Sequence, residues 1–170
     1  VDQLWEGVLD GTIDLIASDH VPYTIESKEA GYENIFAAPL GLSGVQTLYP
    51  AVYSEAVVRR GLAPERFVQL MSANPARIFG LYPRKGSLTI GADADITLLD
   101  PRVTWTVTVD DALHKQKWTP FAGKQITGRV VRTIRRGETI FDDSREGEER
   151  VMARPGSGAY LPRGYGELSA

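Results

Sequence analysis

Asp19 closes the run Ile13-Asp14-Leu15-Ile16-Ala17-Ser18-Asp19-His20, where an apolar stretch ends abruptly in three polar side chains ahead of Val21-Pro22. The apolar part reads as a buried parallel strand, and a carboxylate at the C-terminal tip of such a strand stands where barrel and open α/β folds keep their chemistry. There it can carry a proton or ligate a cation. It can equally cap the following turn through backbone N–H groups. His20 beside it can orient the carboxylate or simply pack with one hydrogen bond. The chain holds two histidines, His20 and His114, and no cysteine. A catalytic zinc centre takes three protein ligands, mostly imidazoles and carboxylates, so these 170 residues do not easily supply one alone. His114, next to Lys115 in a polar connection, reads as a solvated histidine far from any strand tip.

The elements that must hold Asp19 follow from hydrophobic spacing. Leu4, Trp5, Val8 and Leu9 recur at helical intervals and Asp10-Gly11 stops that helix just before the strand, which is the tail of a βα repeat. Residues 22–39 form a long polar loop of the kind that overhangs a site. Val45, Leu48, Val52 and Ala56 give one apolar face to a helix running to Arg60, with Gly61 as its terminator. Pro64 opens another, with Phe67, Leu70 and Met71 buried; Asn74-Pro75 is expected to break it and start a short last helix ending at Gly80.

After Leu81 the period changes from helical to strand-like. Residues 87–90 and 94–99 read as two short strands joined by a hairpin turn at Gly91-Ala92-Asp93. Val103, Trp105, Val107 and Val109 alternate with threonines, the cleanest period of two in the chain. A polar connection over 110–124 leads to a strand-rich stretch, 126–141, folded back at Arg136-Gly137-Glu138. From Asp142 onward charge, glycine and proline dominate, as in an extended arm ordered by contact with another surface. The predicted divisions are therefore 1–82, 83–141 and 142–170.

Composition narrows the classes. With 42% hydrophobic and 24% charged residues the chain reads as an ordinary globular protein. A net charge of -3 with no basic arm gives no reason to expect nucleic acid, and no apolar run approaches the roughly 20 residues of a membrane helix. The expected location is cytoplasmic, any targeting segment lying upstream of Val1.

Several segments coincide in order: Ser18-Asp19-His20-Val21-Pro22, Ala38-Pro39-Leu40-Gly41-Leu42-Ser43-Gly44, Asn74-Pro75-Ala76-Arg77-Ile78-Phe79-Gly80, Gly91-Ala92-Asp93-Ala94-Asp95 and Lys117-Trp118-Thr119-Pro120-Phe121. Together they resemble the C-terminal portion of the cyclic amidohydrolases, the group of dihydroorotase, allantoinase and hydantoinase. The resemblance runs to about Phe141. It implies an α/β fold, namely the C-terminal portion of a distorted (β/α)8 TIM-like barrel followed by part of a small β-sandwich. A complete barrel takes about 250 residues, so only its last strand and helices would be present here.

The resemblance also implies metal-dependent hydrolysis of a ring C–N bond, with one or two divalent ions, most often zinc. It assigns Asp19 as a metal ligand and as the general base, while the remaining ligands have no counterpart in these residues. Tyr23 stands where dihydroorotases often carry a histidine for the substrate carboxylate, so it is a candidate hydroxyl donor to the ring, or half-buried packing. Ala38 and Leu40 are candidate backbone contacts to a cyclic amide, the glycines at 41 and 44 permitting close approach; the alternative is a turn into a helix capped by Ser43. Trp118 reads as packing of its connection against the barrel, and 146–150 as a solvated charge run. The implied partners are a small cyclic amide or ureide and further copies of the same chain, with no nucleic acid and no membrane. A fragment of this kind is expected to be inactive alone. The rival class is a relative that has lost its metal ligands and serves assembly, against which the retention of Asp19 argues.

Overall fold

The computed structural model describes residues 1–163, and the final part of the predicted C-terminal arm lies outside them. The first half of the chain is helical. Helix α1, Asp2–Asp10, ends where Gly11 adopts φ 93°, a backbone conformation that glycine reaches without a Cβ clash. The expected polar loop contains structure of its own: α2, Ile25–Glu29, is capped by the Thr24 hydroxyl, and two 3-10 turns follow at Ala30–Tyr32 and Ile35–Ala37.

Helix α3, Val45–Val52, continues without interruption into a π-helix, Tyr53–Arg59, and Gly61 at φ 71° turns the chain away. Helix α4, Pro64–Val68, likewise runs through a π-helical stretch, Gln69–Ala73, into α5, Asn74–Ile78. Asn74-Pro75 therefore does not break the helix. A helical proline lacks an N–H and its ring crowds the carbonyl four residues back; the wider π spacing immediately before it accommodates both.

These helices share one core, made of Val8, Val52, Ala56, Leu62, Phe67 and Leu70. Phe67 meets Tyr49 and Tyr53 edge to face at 4.8 and 5.4 Å, and burial of such side chains contributes about 1.5–3 kcal/mol each. Val45, expected on the buried face, is 57% exposed. Leu48 is half-buried against the core.

The segment 13–20 is extended but is not a strand. Its backbone is tied to the helices by scattered bonds, Ile13 N–H to the Gly7 carbonyl, Ile16 N–H to the Leu70 carbonyl, and the Arg66 and Asn74 side chains donating to the Ile13 and Asp14 carbonyls, and it makes one parallel bridge, His20 with Leu42. Ile13, Leu15 and Ile16 are half-buried rather than fully enclosed. A parallel strand needs ladder partners on its flanks, and the described residues do not provide them.

The second half is a three-stranded antiparallel sheet of order β1-β2-β3, with β1 Ile96–Thr106, β2 Gln125–Arg135 and β3 Glu138–Asp142. The stretches expected as separate strands over 94–99 and 103–109 form mainly one strand. Its register shifts between Asp100 and Thr104, around Pro101, because proline has no N–H for a ladder and is accommodated at bulges. The hairpin at Arg136-Gly137 is as expected, with φ 49° and 82°, the handedness a tight hairpin turn requires.

Residues 87–90 are not a strand. The Ala92 N–H bonds to the Thr89 carbonyl in a turn, and Leu88 and Ile90 are exposed. The segment is organised instead by Lys85, whose ammonium lies 2.8 Å from Asp93 and also bonds Asp95. Asp95 in turn accepts the Arg136 N–H at 2.7 Å.

The arm after Asp142 folds back on its own sheet. Val151 bridges Phe141, and the Arg135 and Arg136 side chains bond Ser157. In the expected charge run, Arg150 is half-buried rather than solvated and lies 3.5 Å from Asp143, itself paired with Arg129. No helix among the described residues is long and apolar enough to cross a membrane.

Candidate functional site

Asp19 ends the extended segment in the left-handed region, φ 43°, and its side chain is exposed. Aspartate visits this region more readily than most residues. The turn around it is closed by its neighbours. The Ser18 hydroxyl accepts the His20 N–H at 3.3 Å, and the Val21 N–H reaches the Leu42 carbonyl at 3.1 Å. No hydrogen bond or ion pair among the described residues engages the Asp19 carboxylate, so it does not serve as the turn's cap.

His20 does not orient that carboxylate through Nδ1. This nitrogen accepts the N–H groups of Gly44 and Val45 at 2.9 and 3.2 Å, which are free donors at the start of α3. The imidazole is thus the helix cap. Ser43, expected in that role, makes no cap bond; its side chain is 2% exposed and its Oγ has no partner among the described residues. His114 is also not where its sequence surroundings suggested. Its ring stands 5.9 Å from that of His20, edge to face, and its Nδ1 is buried. The turn-rich connection after β1 carries it back to the foot of the Asp19 turn, which no local sequence signal announces.

Tyr23, Ala38 and Leu40 belong to the loop that leaves this turn and returns at Leu42. The Tyr23 carbonyl accepts the Trp118 indole N–H at 2.6 Å, so Trp118 does pack its connection against this region. The Lys28 ammonium donates to the Pro39 carbonyl at 2.5 Å and lies 5.8 Å from the Tyr23 ring centre. Tyr23 and Pro39, which lies between Ala38 and Leu40, are therefore linked through one side chain that sequence reading passed over.

The close approach at Gly41 is internal. A Cβ there would stand 2.5 Å from the Val21 side chain, so this glycine lets the loop's two ends meet rather than admitting a ligand. Leu40 is 90% exposed. A separate cavity of about 70 Å³ lies between α3 and the sheet, lined by Ser43, Thr47, Val107, His114, Arg129 and Asp143. Asp19 and Tyr23 are not among its walls.

Residues 1–140 match the Amidohydrolase family. D-phenylhydantoinase of Escherichia coli O81 (strain ED1a) is 37% identical over 163 residues, covering 95% of this chain and 34% of that protein. D-hydantoinase from Bacillus sp. AR9 superposes with a TM-score of 0.84 at 32% identity, over 95% of this chain and 34% of its own. L-hydantoinase (dihydropyrimidinase) from Arthrobacter aurescens gives 0.76 at 37% identity, over 82% and 31%. The chain spans about a third of the length of the curated relatives it matches. It belongs to the amidohydrolase family, in the cyclic-amide group that includes the hydantoinases.

Proposed function

We propose that this chain is the C-terminal portion of an enzyme that hydrolyses a ring C–N bond in a cyclic amide or ureide, with hydantoin-type rings foremost and allantoin or dihydroorotate as the other candidates. The observation that carries the reading is the Asp19 carboxylate, exposed at the end of the extended segment while Ser18, His20 and Val21 close the turn. Relatives named as hydantoinases support the reaction class.

In this reading residues 1–82 complete a (β/α)8 barrel, 83–141 contribute to a composite β-sandwich, and 142–170 form a terminal arm. The absence of ladder partners for 13–20 among the described residues fits a strand whose neighbours lie elsewhere in a longer protein. The whole protein is read as a cytoplasmic homo-oligomer.

Asp19 acts as the proton carrier. One carboxylate oxygen accepts the proton of the attacking water and delivers it to the departing ring nitrogen, which otherwise leaves as a poorly stabilised anion. Tyr23, Ala38 and Leu40 hold the ring's polar edge. No three His, Cys, Asp or Glu side chains among the described residues are grouped to bind a metal ion. The residues present therefore do not by themselves form a zinc site. A divalent ion in the whole protein would take Asp19 as one ligand and find the others outside these 170 residues.

The test is Asp19→Asn in the full-length protein, with ring opening of hydantoin followed by ultraviolet absorbance. The amide keeps the side chain's shape but cannot carry the proton. The expected loss is about 10²–10⁴-fold in kcat. Undiminished turnover would sink the assignment.

A further inference from the structure

The loop between Val21 and Leu42 is closed at three levels. At its neck the Val21 N–H meets the Leu42 carbonyl and Gly41 packs on Val21; at its middle, a Cβ on Gly31 would stand 2.8 Å from the Ala38 Cβ. Between these levels Lys28 reaches from α2 across eleven residues to the Pro39 carbonyl. From outside, Trp118 fastens the Tyr23 end to the connection that follows β1.

Lys28 has no carboxylate partner among the described residues. Its charge is directed at one backbone carbonyl and, within cation–π range, at the Tyr23 ring. On either side of the Pro39 carbonyl, the Ala38 carbonyl and the Leu40 N–H have no backbone partners among the described residues. An acceptor and a donor spaced by one residue complement the N–H and C=O of a ring amide.

We propose that Lys28 is a positioning residue that sets the separation between Tyr23 and the 38–40 backbone, and so the width of the ring-binding mouth. The inference rests on the reading of Tyr23, Ala38 and Leu40 as substrate contacts. Lys28 itself touches no reacting atom. Its effect is on how well the ring is held, because small displacements of positioning groups are transmitted directly into binding and orientation.

The experiment compares Lys28→Met and Lys28→Arg with the parent in the full-length protein, measuring kcat and KM for hydantoin together with amide hydrogen exchange over 23–40. Methionine keeps the aliphatic stem and removes the donor; arginine keeps a cationic donor of similar reach. Lys28→Met is expected to raise KM about 10-fold or more, the weight of a charge-assisted hydrogen bond, with kcat little changed. Exchange over 23–40 should accelerate, and Lys28→Arg should recover most of both effects.

An unchanged KM, unchanged exchange, or equal loss in both variants overturns the proposal. Failure of the functional reading looks different. It appears as a parent protein that opens no cyclic amide, or an Asp19→Asn variant that stays active. In that event the exchange measurement still decides whether Lys28 clasps the loop.

Discussion

Replacing His20 with alanine removes the acceptor for two backbone donors at the start of α3, the Gly44 and Val45 N–H groups. Loss of a helix cap costs about 0.5–2 kcal/mol, and His20→Ala is expected to fall in that range. Amide exchange at Gly44 and Val45 is the direct readout; unchanged protection there would show that the ring is not the cap. Asp19 and His20 are adjacent in sequence yet face different surroundings. The histidine's Nδ1 faces the helix terminus, which leaves the exposed carboxylate unencumbered for Asp19→Asn to test.

At the scale of elements, the contact that fastens the sheet to the helices is Gly128 on β2 against Tyr53 in the π-helix. Gly128 has φ 101°, and a Cβ there would come 2.5 Å from the tyrosine ring. The same junction is bonded: the Thr127 N–H donates to the Ser54 hydroxyl, and the Trp105 indole donates to the Gly128 carbonyl. Gly128→Ala brings both overpacking and an unfavourable φ, and is expected to destabilise by about 1–3 kcal/mol. A thermal melt checks it, and a melting temperature equal to the parent's would show that the helices and sheet are not tightly docked there. Gly61→Ala is the informative comparison, because it has a positive φ but nothing within 4 Å.

Across the whole molecule, the Gly-Ala-Asp-Ala-Asp segment joins the helical half to the sheet. Lys85, just beyond the helices, bonds Asp93 and Asp95, and Asp95 holds the β2–β3 turn through the Arg136 N–H. The hydrogen bond from Lys85 is the foremost influence holding Asp93 below its usual range. Burial opposes ionisation of Asp95, but Lys85 and the Arg136 N–H outweigh it and lower that carboxyl too. Burial likewise works against the Lys85 ammonium, and the two aspartates overcome it and raise its pKa.

Groups with depressed folded pKa values add stability above the unfolded carboxylate value, about 3.9, and lose it as pH falls through the folded value. The lysine's contribution persists through neutrality and is lost only as pH rises through its raised folded value. Melting temperature should therefore fall on acidification below about pH 3.9, and Lys85→Met should flatten part of that fall. Identical acid dependence in the variant and the parent would show that the junction carries no such linkage.

Local pattern alone was enough for α1, for α3 with its continuation to Arg59, for the start of α4 and for the β2–β3 hairpin. The spacing of Val8, Val52, Ala56, Phe67 and Leu70 placed them in the core, and Gly11, Gly61 and Arg136-Gly137 marked their turns. The motif order was also enough for the family, because residue types at fixed spacing are a one-dimensional property. Tertiary structure decided the rest. An apolar run such as 13–20 is extended in either case, but whether it is a strand depends on neighbours it does not encode. The continuity of the helix through Asn74-Pro75 depended on π spacing one turn earlier. The placing of His114 beside His20, and of Lys28 on Pro39, depended on contacts between residues 94 and eleven positions apart. Those contacts are chosen by packing and hydrogen-bond satisfaction in three dimensions, which no local period records.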